Sequence, residues 1–151
     1  MAGKDTKDEH IVVEQVWNVP FRHYAGEVTS RYLKEFRDNK RIMGRRCPKC
    51  KRVLVPARKN CGTCFEDIDE WVEVKPEGVI EAFTIVHYSH PVQPVKPPFA
   101  YALIRLDGAD VGFLHLIKKD LDKIKNGLRV KAKFSGERTG KILDIDSFEL
   151  A

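Results

Sequence analysis

Apolar positions along the chain follow three different rhythms in turn. Over residues 27–39, Val28, Tyr32, Leu33 and Phe36 fall at i, i+4, i+5 and i+8, which is one stripe of an amphipathic helix. Arg31, Lys34, Arg37 and Lys40 take most of the remaining surface. Thr29 or Ser30 is expected to cap the start and Asn39 to end the helix. A helix this short is unstable alone in water, so it must pack on something.

From Trp71 onward the spacing becomes that of strands. Segments 70–75, 79–88, 99–106, 111–117, 128–134 and 141–148 are rich in β-branched and aromatic residues. Turn-forming residues separate them: Pro76-Glu77-Gly78, Asp107-Gly108, Asn126-Gly127 and Ser135-Gly136. Residues 118–125 are polar, with Leu121 and Ile124 spaced for one or two helical turns. Five or so strands with a short helix between the third and fourth outline an OB-type Greek-key barrel, and a small sandwich is the alternative. Residues 71–150 are expected to close into that barrel, with Leu103, Val111, Phe113 and Val130 facing inward.

Two segments fit neither rhythm. Residues 1–23 read as an extended arm, in which Ile11, Val12, Val13, Val16 and Trp17 form a short strand ended by Pro20. That arm lies on its own core or on a partner. Residues 87–98 hold four prolines and two histidines, too much proline for a central strand. Such a stiffened loop is either a wall for a ligand or a rigid connector. His87 and His90 form an H-x-x-H pair, more often solvated than metal-binding in a loop.

Between helix and barrel the informative residues are cysteines. Cys47, Cys50, Cys61 and Cys64 form two C-x2-C pairs separated by ten residues, with Val53, Leu54 and Val55 as a strand between them and Pro56 closing it. Each C-x2-C turn points two thiolates at one place, and a hairpin brings the pairs together as an S4 cage. Thiolates in that geometry select zinc or a mononuclear iron. Two disulfides, or a redox C-x2-C, leave the paired arrangement unexplained. Four cysteines close the cage, so the metal is read as structural. The organisation is then a 1–23 arm, a 24–44 helical segment, a 45–70 zinc ribbon and a 71–151 OB-fold-like domain: a mainly β chain with an N-terminal helical segment.

Charge adds a further feature. The net charge of +5 is unevenly spread. Residues 31–59 hold twelve Lys or Arg against Glu35 and Asp38, whereas residues 61–75 hold Glu66, Asp67, Asp69, Glu70 and Glu73 against Lys75. A basic block beside a metal site invites an anionic partner, or else it offsets the net negative charge of a four-thiolate zinc. The chain is 42% hydrophobic and 32% charged, in the range of soluble globular proteins, and no run of about 18 apolar residues is present to span a membrane. Residues 1–10 are charged and lack the apolar stretch of a signal peptide, which makes the cytoplasm the expected compartment, in keeping with thiols held as metal ligands.

Catalytic signatures are missing from the sequence. With all cysteines committed to metal, no thiol remains as a nucleophile. There is no G-x-S-x-G, Walker loop or G-x-G-x-x-G. The residues describe a binding module better than an enzyme.

The order Tyr24 and Gly26, a helix rich in basic residues, Gly44-Arg45-Arg46-Cys47-Pro48-Lys49-Cys50, Val55-Pro56-Ala57-Arg58, Cys61-Gly62-Thr63-Cys64, Trp71-Val72-Glu73 and Pro97-Pro98-Phe99-Ala100-Tyr101-Ala102-Leu103 resembles the DUF35 family over about residues 24–150. That resemblance implies a rubredoxin-like zinc ribbon joined to an OB fold. It implies a non-catalytic subunit of a thiolase-type acyl-CoA enzyme, in a hetero-oligomer whose thiolase-like partner supplies the catalytic residues. The benzoylsuccinyl-CoA thiolase is one such system. The basic block then has a use: Arg31, Arg37, Arg45, Arg46 and Arg58 are the expected contacts for the phosphates of the CoA thioester. Lys51 and Phe65 stand where glycine usually follows the second cysteine of each rubredoxin knuckle, which favours structural Zn²⁺ over iron.

Single-stranded nucleic acid is the competing ligand, since OB folds and zinc ribbons both bind it elsewhere. Against it, Phe83, Tyr101, Phe113 and Phe134 are as readily core residues as stacking platforms, and the acidic stretch crosses one possible path. A stand-alone redox or metal-storage role fits a closed cage poorly.

Overall fold

The computed structural model describes residues 11–17 and 19–151. The helix begins at Glu27 as expected. Its regular part, α1 (Glu27–Lys34), passes into one wider π turn, α2 (Glu35–Asn39). Gly26, in the left-handed region at φ 81°, precedes it, and neither Thr29 nor Ser30 caps it through a side chain. Asn39 is the last helical residue; its amide donates to Glu35 at 2.8 Å while Lys40 takes the left-handed conformation that turns the chain out. Tyr32 and Phe36 are fully buried, and Val28 and Leu33 pack beside them, so the apolar stripe holds.

The ribbon is a three-stranded sheet in the order β2-β1-β3, formed by β1 (Ile42–Arg46), β2 (Val53–Leu54) and β3 (Glu70–Val74). The segment beginning at Glu70, expected with the barrel strands, instead pairs with β1 from Ile42↔Val74 to Arg46↔Glu70. Gly44 sits at the middle of β1, where a Cβ would lie 2.7 Å from a Val53 methyl.

The remaining strands close a barrel: β4 (Glu77–Val86), β5 (Phe99–Leu106), β6 (Gly112–Ile117), β7 (Arg129–Phe134) and β8 (Ile145–Leu150). Their order is β4-β5-β6-β8-β7, and β7 returns to β4. All neighbours are antiparallel except β6 and β8, which meet in parallel at Ile117↔Phe148. This is the OB arrangement anticipated from the turn spacing.

Several details differ from the sequence reading. Phe113 and Val130 point inward and are fully buried, but Leu103 is 36% exposed. Ile104 and Ala102 are the buried neighbours on β5, so the strand's alternation is as expected and its phase is shifted by one residue. Val111 lies outside β6 and packs against the metal cluster. Residues 118–125 make turns rather than a helix, although Ile124 is buried and Leu121 partly so. The last strand starts at Ile145, because Ile142–Asp144 forms a 3-10 turn. Buried Asp144 accepts hydrogen bonds from the backbone N–H groups of Thr139, Gly140 and Lys141 and holds that turn. The arm forms no strand at residues 11–17 and 19, and these residues are exposed; residues 1–10 and 18 of the arm lie outside those described.

Helix, ribbon and barrel share one core. Tyr32, Phe36, Ile42 and Val53 belong to the same buried cluster as Ile80, Ile104, Phe113, Val130 and Phe148. Polar ties reinforce the junction. Val53 N–H donates to the Asp110 carboxylate at 2.7 Å, and Asp110 N–H returns to the Val53 carbonyl at 2.9 Å. Arg138 donates to the Arg37 carbonyl at 2.9 Å and clasps the end of α2 to the barrel. Among the described residues, no helix is long and apolar enough to cross a membrane.

Candidate metal centre and basic cavity

Two knuckles build the metal centre. Cys47 and Cys50 lie on the turn after β1, where Lys51 N–H donates to the Cys47 carbonyl at 3.0 Å. Cys61 and Cys64 repeat this geometry, with Phe65 N–H donating to the Cys61 carbonyl at 2.9 Å. Both closing residues have positive φ, 63° for Lys51 and 58° for Phe65, the conformation for which glycine is the unstrained choice.

All four sulfurs lie within 4.8 Å of one another. The Cys50 and Cys61 sulfurs are 3.8 Å apart. Ligands at about 2.3 Å from a tetrahedral zinc stand about 3.8 Å from each other, so the donor set fits the ion in type and spacing. Cys47 and Cys61 are fully buried, and Leu54 and Ile68 wall the cluster with Val111. Backbone N–H groups of Cys64 and Thr63 pull the Cys61 thiol down to about 6. Cys64 moves the other way, to about 12, through desolvation and then the proximity of Cys50 and Cys61. Sulfurs this crowded become thiolates together only around a cation. No other cluster of three or more His, Cys, Asp or Glu ligands occurs among the described residues, and His87 and His90 do not form one.

Next to the ribbon, on its helix side, is a cavity of about 850 Å³. Arg31, Arg45, Arg58 and Lys59 line it against Glu27 and Asp69, with Trp71 on its wall. Both Arg31 and Arg45 rest on the Trp71 ring, their guanidinium carbons 4.5 and 5.1 Å from its centroid. Arg45 is buried, donates to the Arg58 carbonyl at 3.3 Å, and keeps a buried Nε with no partner.

Of the five arginines expected to meet phosphate, Arg31, Arg45 and Arg58 thus converge on this cavity. Arg37 and Arg46 do not line it. Arg37 is held by Asp38 at 2.7 Å and Arg46 by Glu70 at 3.1 Å. For Arg46 the reason lies in the register of β1 and β3, which sets it opposite Glu70. Antiparallel pairing lays the acidic stretch along the basic one, giving Arg45–Asp69, Arg46–Glu70 and Arg41–Glu73, while Lys49–Glu66 joins the two knuckles. The acidic stretch is thus largely paired in space, while most of the basic block is not. Lys59, Asp69 and Trp71 complete the cavity and were not singled out as site residues. The one signal available for Trp71 was its place on the strand after the second cysteine pair.

The proline-rich loop lines a different, smaller cavity of about 510 Å³, in which Tyr88, His90 and Gln93 face Thr84, Ile85, Val86 and Tyr101. It does not wall the basic cavity. Of the aromatics weighed as stacking platforms, Phe113 is buried and Phe134 packs on the core against Phe36.

The comparisons with known proteins follow this division of the chain. The model of the ChsH2 rubredoxin-like zinc ribbon domain matches residues 35–70, and that of the ChsH2 C-terminal OB-fold domain matches residues 71–135. A DUF35-family protein of unknown function from Sulfolobus solfataricus is similar in structure, with a TM-score of 0.58 and 29% identity over 71% of this chain and 78% of that one. The chain belongs to the DUF35 family. A second DUF35 structure, described as an Ltp2-ChsH2(DUF35) aldolase, shares the fold with a TM-score of 0.60 and 22% identity over 79% of this chain and 92% of that one. No curated protein matches the sequence. Within this DUF35 chain, the four cysteines therefore belong to a zinc ribbon, and the strands from Glu77 onward to an OB fold.

Proposed function

We propose that this DUF35 protein is a non-catalytic subunit of a thiolase-type acyl-CoA enzyme, which holds the phosphate end of the CoA thioester while a thiolase-like partner carries out the carbon–carbon chemistry. The observation that carries the reading is the basic cavity. It gathers four cationic side chains against two carboxylates on a wall containing a tryptophan. CoA presents a diphosphate and a 3′-phosphate, for which clustered guanidinium groups are suited. All cysteines are in the ribbon, so no thiol is left to act as an acyl acceptor. The ChsH2 zinc ribbon and OB-fold matches, and the similarity to a DUF35 chain described with an aldolase, support an accessory role. Zinc has a structural part here: it ties β1, which carries Arg45, to the knuckle preceding β3, which carries Trp71.

Reconstitution tests the proposal. The purified chain alone should neither form nor cleave acyl-CoA carbon–carbon bonds. Mixed with its thiolase-like partner, it should lower the CoA dissociation constant of the assembly relative to the partner alone. Turnover by a verified partner-free preparation contradicts the accessory role, and an unchanged dissociation constant contradicts the holding role.

A further inference from the structure

The arm before the helix has properties that the cavity and the ribbon do not use. Ile11, Val13, Trp17, Val19 and Phe21 are 87, 71, 82, 65 and 79% exposed. They alternate along the chain, so in an extended conformation they share one face. Between Ile11 and Tyr24, the only charged side chains apart from any protonated His23 are Glu14 and Arg22, in a chain that is 32% charged overall. Soluble monomers rarely leave an apolar stretch of this size uncovered. Its own barrel gives it no seat: the strands are closed, and among the described residues the arm contributes nothing to either core cluster.

We infer that residues 11–24 are a docking strand for the catalytic subunit, laid in an extended conformation along an apolar groove of that partner. This rests on the accessory-subunit reading. Two observations select the occupant. The near absence of charge requires recognition by apolar burial, with alternate side chains entering pockets while backbone groups pair with a strand edge. The arm also ends at the basic cavity: Tyr24, Ala25 and Gly26 form part of its rim. A partner holding the arm therefore stands beside the cavity and fixes its edge, which places the bound thioester next to the subunit that acts on it. Trp17 is the expected anchor, since large aromatic side chains dominate such interfaces.

The test uses the full-length chain and the thiolase-like polypeptide that co-purifies with it, identified by mass spectrometry. Trp17→Ser with Phe21→Ser should weaken that complex at least about a hundredfold, as loss of two anchor residues does. Both side chains are exposed, so zinc content and melting temperature of the free chain should not change. Amide exchange at residues 11–24 should slow on complex formation. If wild type binds the thiolase-like polypeptide and the double variant binds it within threefold, the docking strand is overturned while the accessory role stands. If wild type brings down no such polypeptide, the accessory role falls and the inference with it. If wild type is a dimer that the double variant dissociates, the arm serves a second copy of this chain and the inference is overturned in that direction.

Discussion

Arg45 and Asp69 form an ion pair at 3.2 Å between side chains in opposite surroundings, one 5% exposed and the other fully exposed. Register places them side by side, since Arg45 pairs with Trp71 across β1 and β3 and Asp69 lies just before β3. The guanidinium is fixed by Trp71 and the Arg58 carbonyl. The carboxylate is fully solvent-exposed. Asp69 thus supplies an anionic partner for Arg45 at the cavity wall.

The first prediction follows from that pair. Asp69→Asn removes a competing charge and keeps an oxygen acceptor for Arg45. CoA binding by the assembled complex, measured calorimetrically, should tighten about two- to fivefold at low salt, the scale of one exposed charge, and the gain should shrink as salt rises. Weaker binding would mean that Asp69 supports the site rather than occupying it.

Zinc stoichiometry is the second. Elemental analysis should find one zinc per chain, and Cys47→Ser or Cys61→Ser should lose it, because these two ligands are fully buried. Loosening should reach beyond the knuckles. β1 and β2 flank the first knuckle and pair with each other, so amide exchange should accelerate in these two strands before the barrel responds.

A third concerns the two strained knuckle positions. Lys51 has φ 63° and its side chain is exposed, so Lys51→Gly relieves left-handed strain without removing a packed side chain. Stability should rise by about 0.5–1 kcal/mol, the left-handed penalty of a side-chain-bearing residue less the added chain entropy of glycine. Thermal unfolding of the zinc-loaded protein measures this. Lower stability would show that Lys51 contributes more by its charge near the thiolates than it costs in backbone.

The fourth is a pH effect. His115 is buried between Phe113 and Phe148; its Nε2 lies 3.3 Å from the Ile142 carbonyl and its Nδ1 has no partner. Burial is the leading cause holding its pKa below the ordinary imidazole value, with the positive charge of Lys118 adding to it and Asp146 opposing it. The unfolded chain therefore binds this proton at higher pH than the native one. Stability carried by neutral His115 is fully present above the ordinary histidine pKa and is lost as pH falls toward the native value. Denaturant midpoints between pH 7.5 and 5.5 should fall for wild type and fall less for His115→Phe. Parallel slopes would assign the effect to other groups.

What the sequence revealed depended on how local the cause was. The cysteine pairs, the stripe Val28–Tyr32–Phe36 and the breaks at Asp107-Gly108, Asn126-Gly127 and Ser135-Gly136 are each set by neighbours a few residues apart and are found where the spacing puts them, whereas Glu77 and Gly78 of the expected first turn already belong to β4. The errors are of longer range. Residues 31–59 look uniformly basic until the ribbon sheet brings Asp69, Glu70 and Glu73 alongside Arg45, Arg46 and Arg41. Leu103 was placed inward by a phase error of one residue, because both faces of β5 carry apolar side chains and alternation alone cannot choose between them. Helical turns over residues 118–125 were expected from Leu121 and Ile124, yet two apolar contacts with the core are satisfied equally well by turns. The basic cavity could not be read from spacing, since Arg31 comes from α1, Arg45 from β1, Arg58 from the loop after β2 and Trp71 from β3.

The most direct measurement compares two pairs of arginine variants in the assembled complex. Arg31→Ala with Arg58→Ala removes two exposed cations from the cavity, and Arg37→Ala with Arg46→Ala removes two from outside it. Each charge-assisted contact to a shielded phosphate is worth about 1.5–3 kcal/mol, so the cavity pair should raise the CoA dissociation constant by about tenfold or more, with zinc content unchanged. The outer pair should leave it within about twofold, the scale of an exposed ion pair. Equal effects from both pairs, or wild-type affinity in the cavity pair across the salt range, would contradict the assignment of this cavity to the phosphates of CoA.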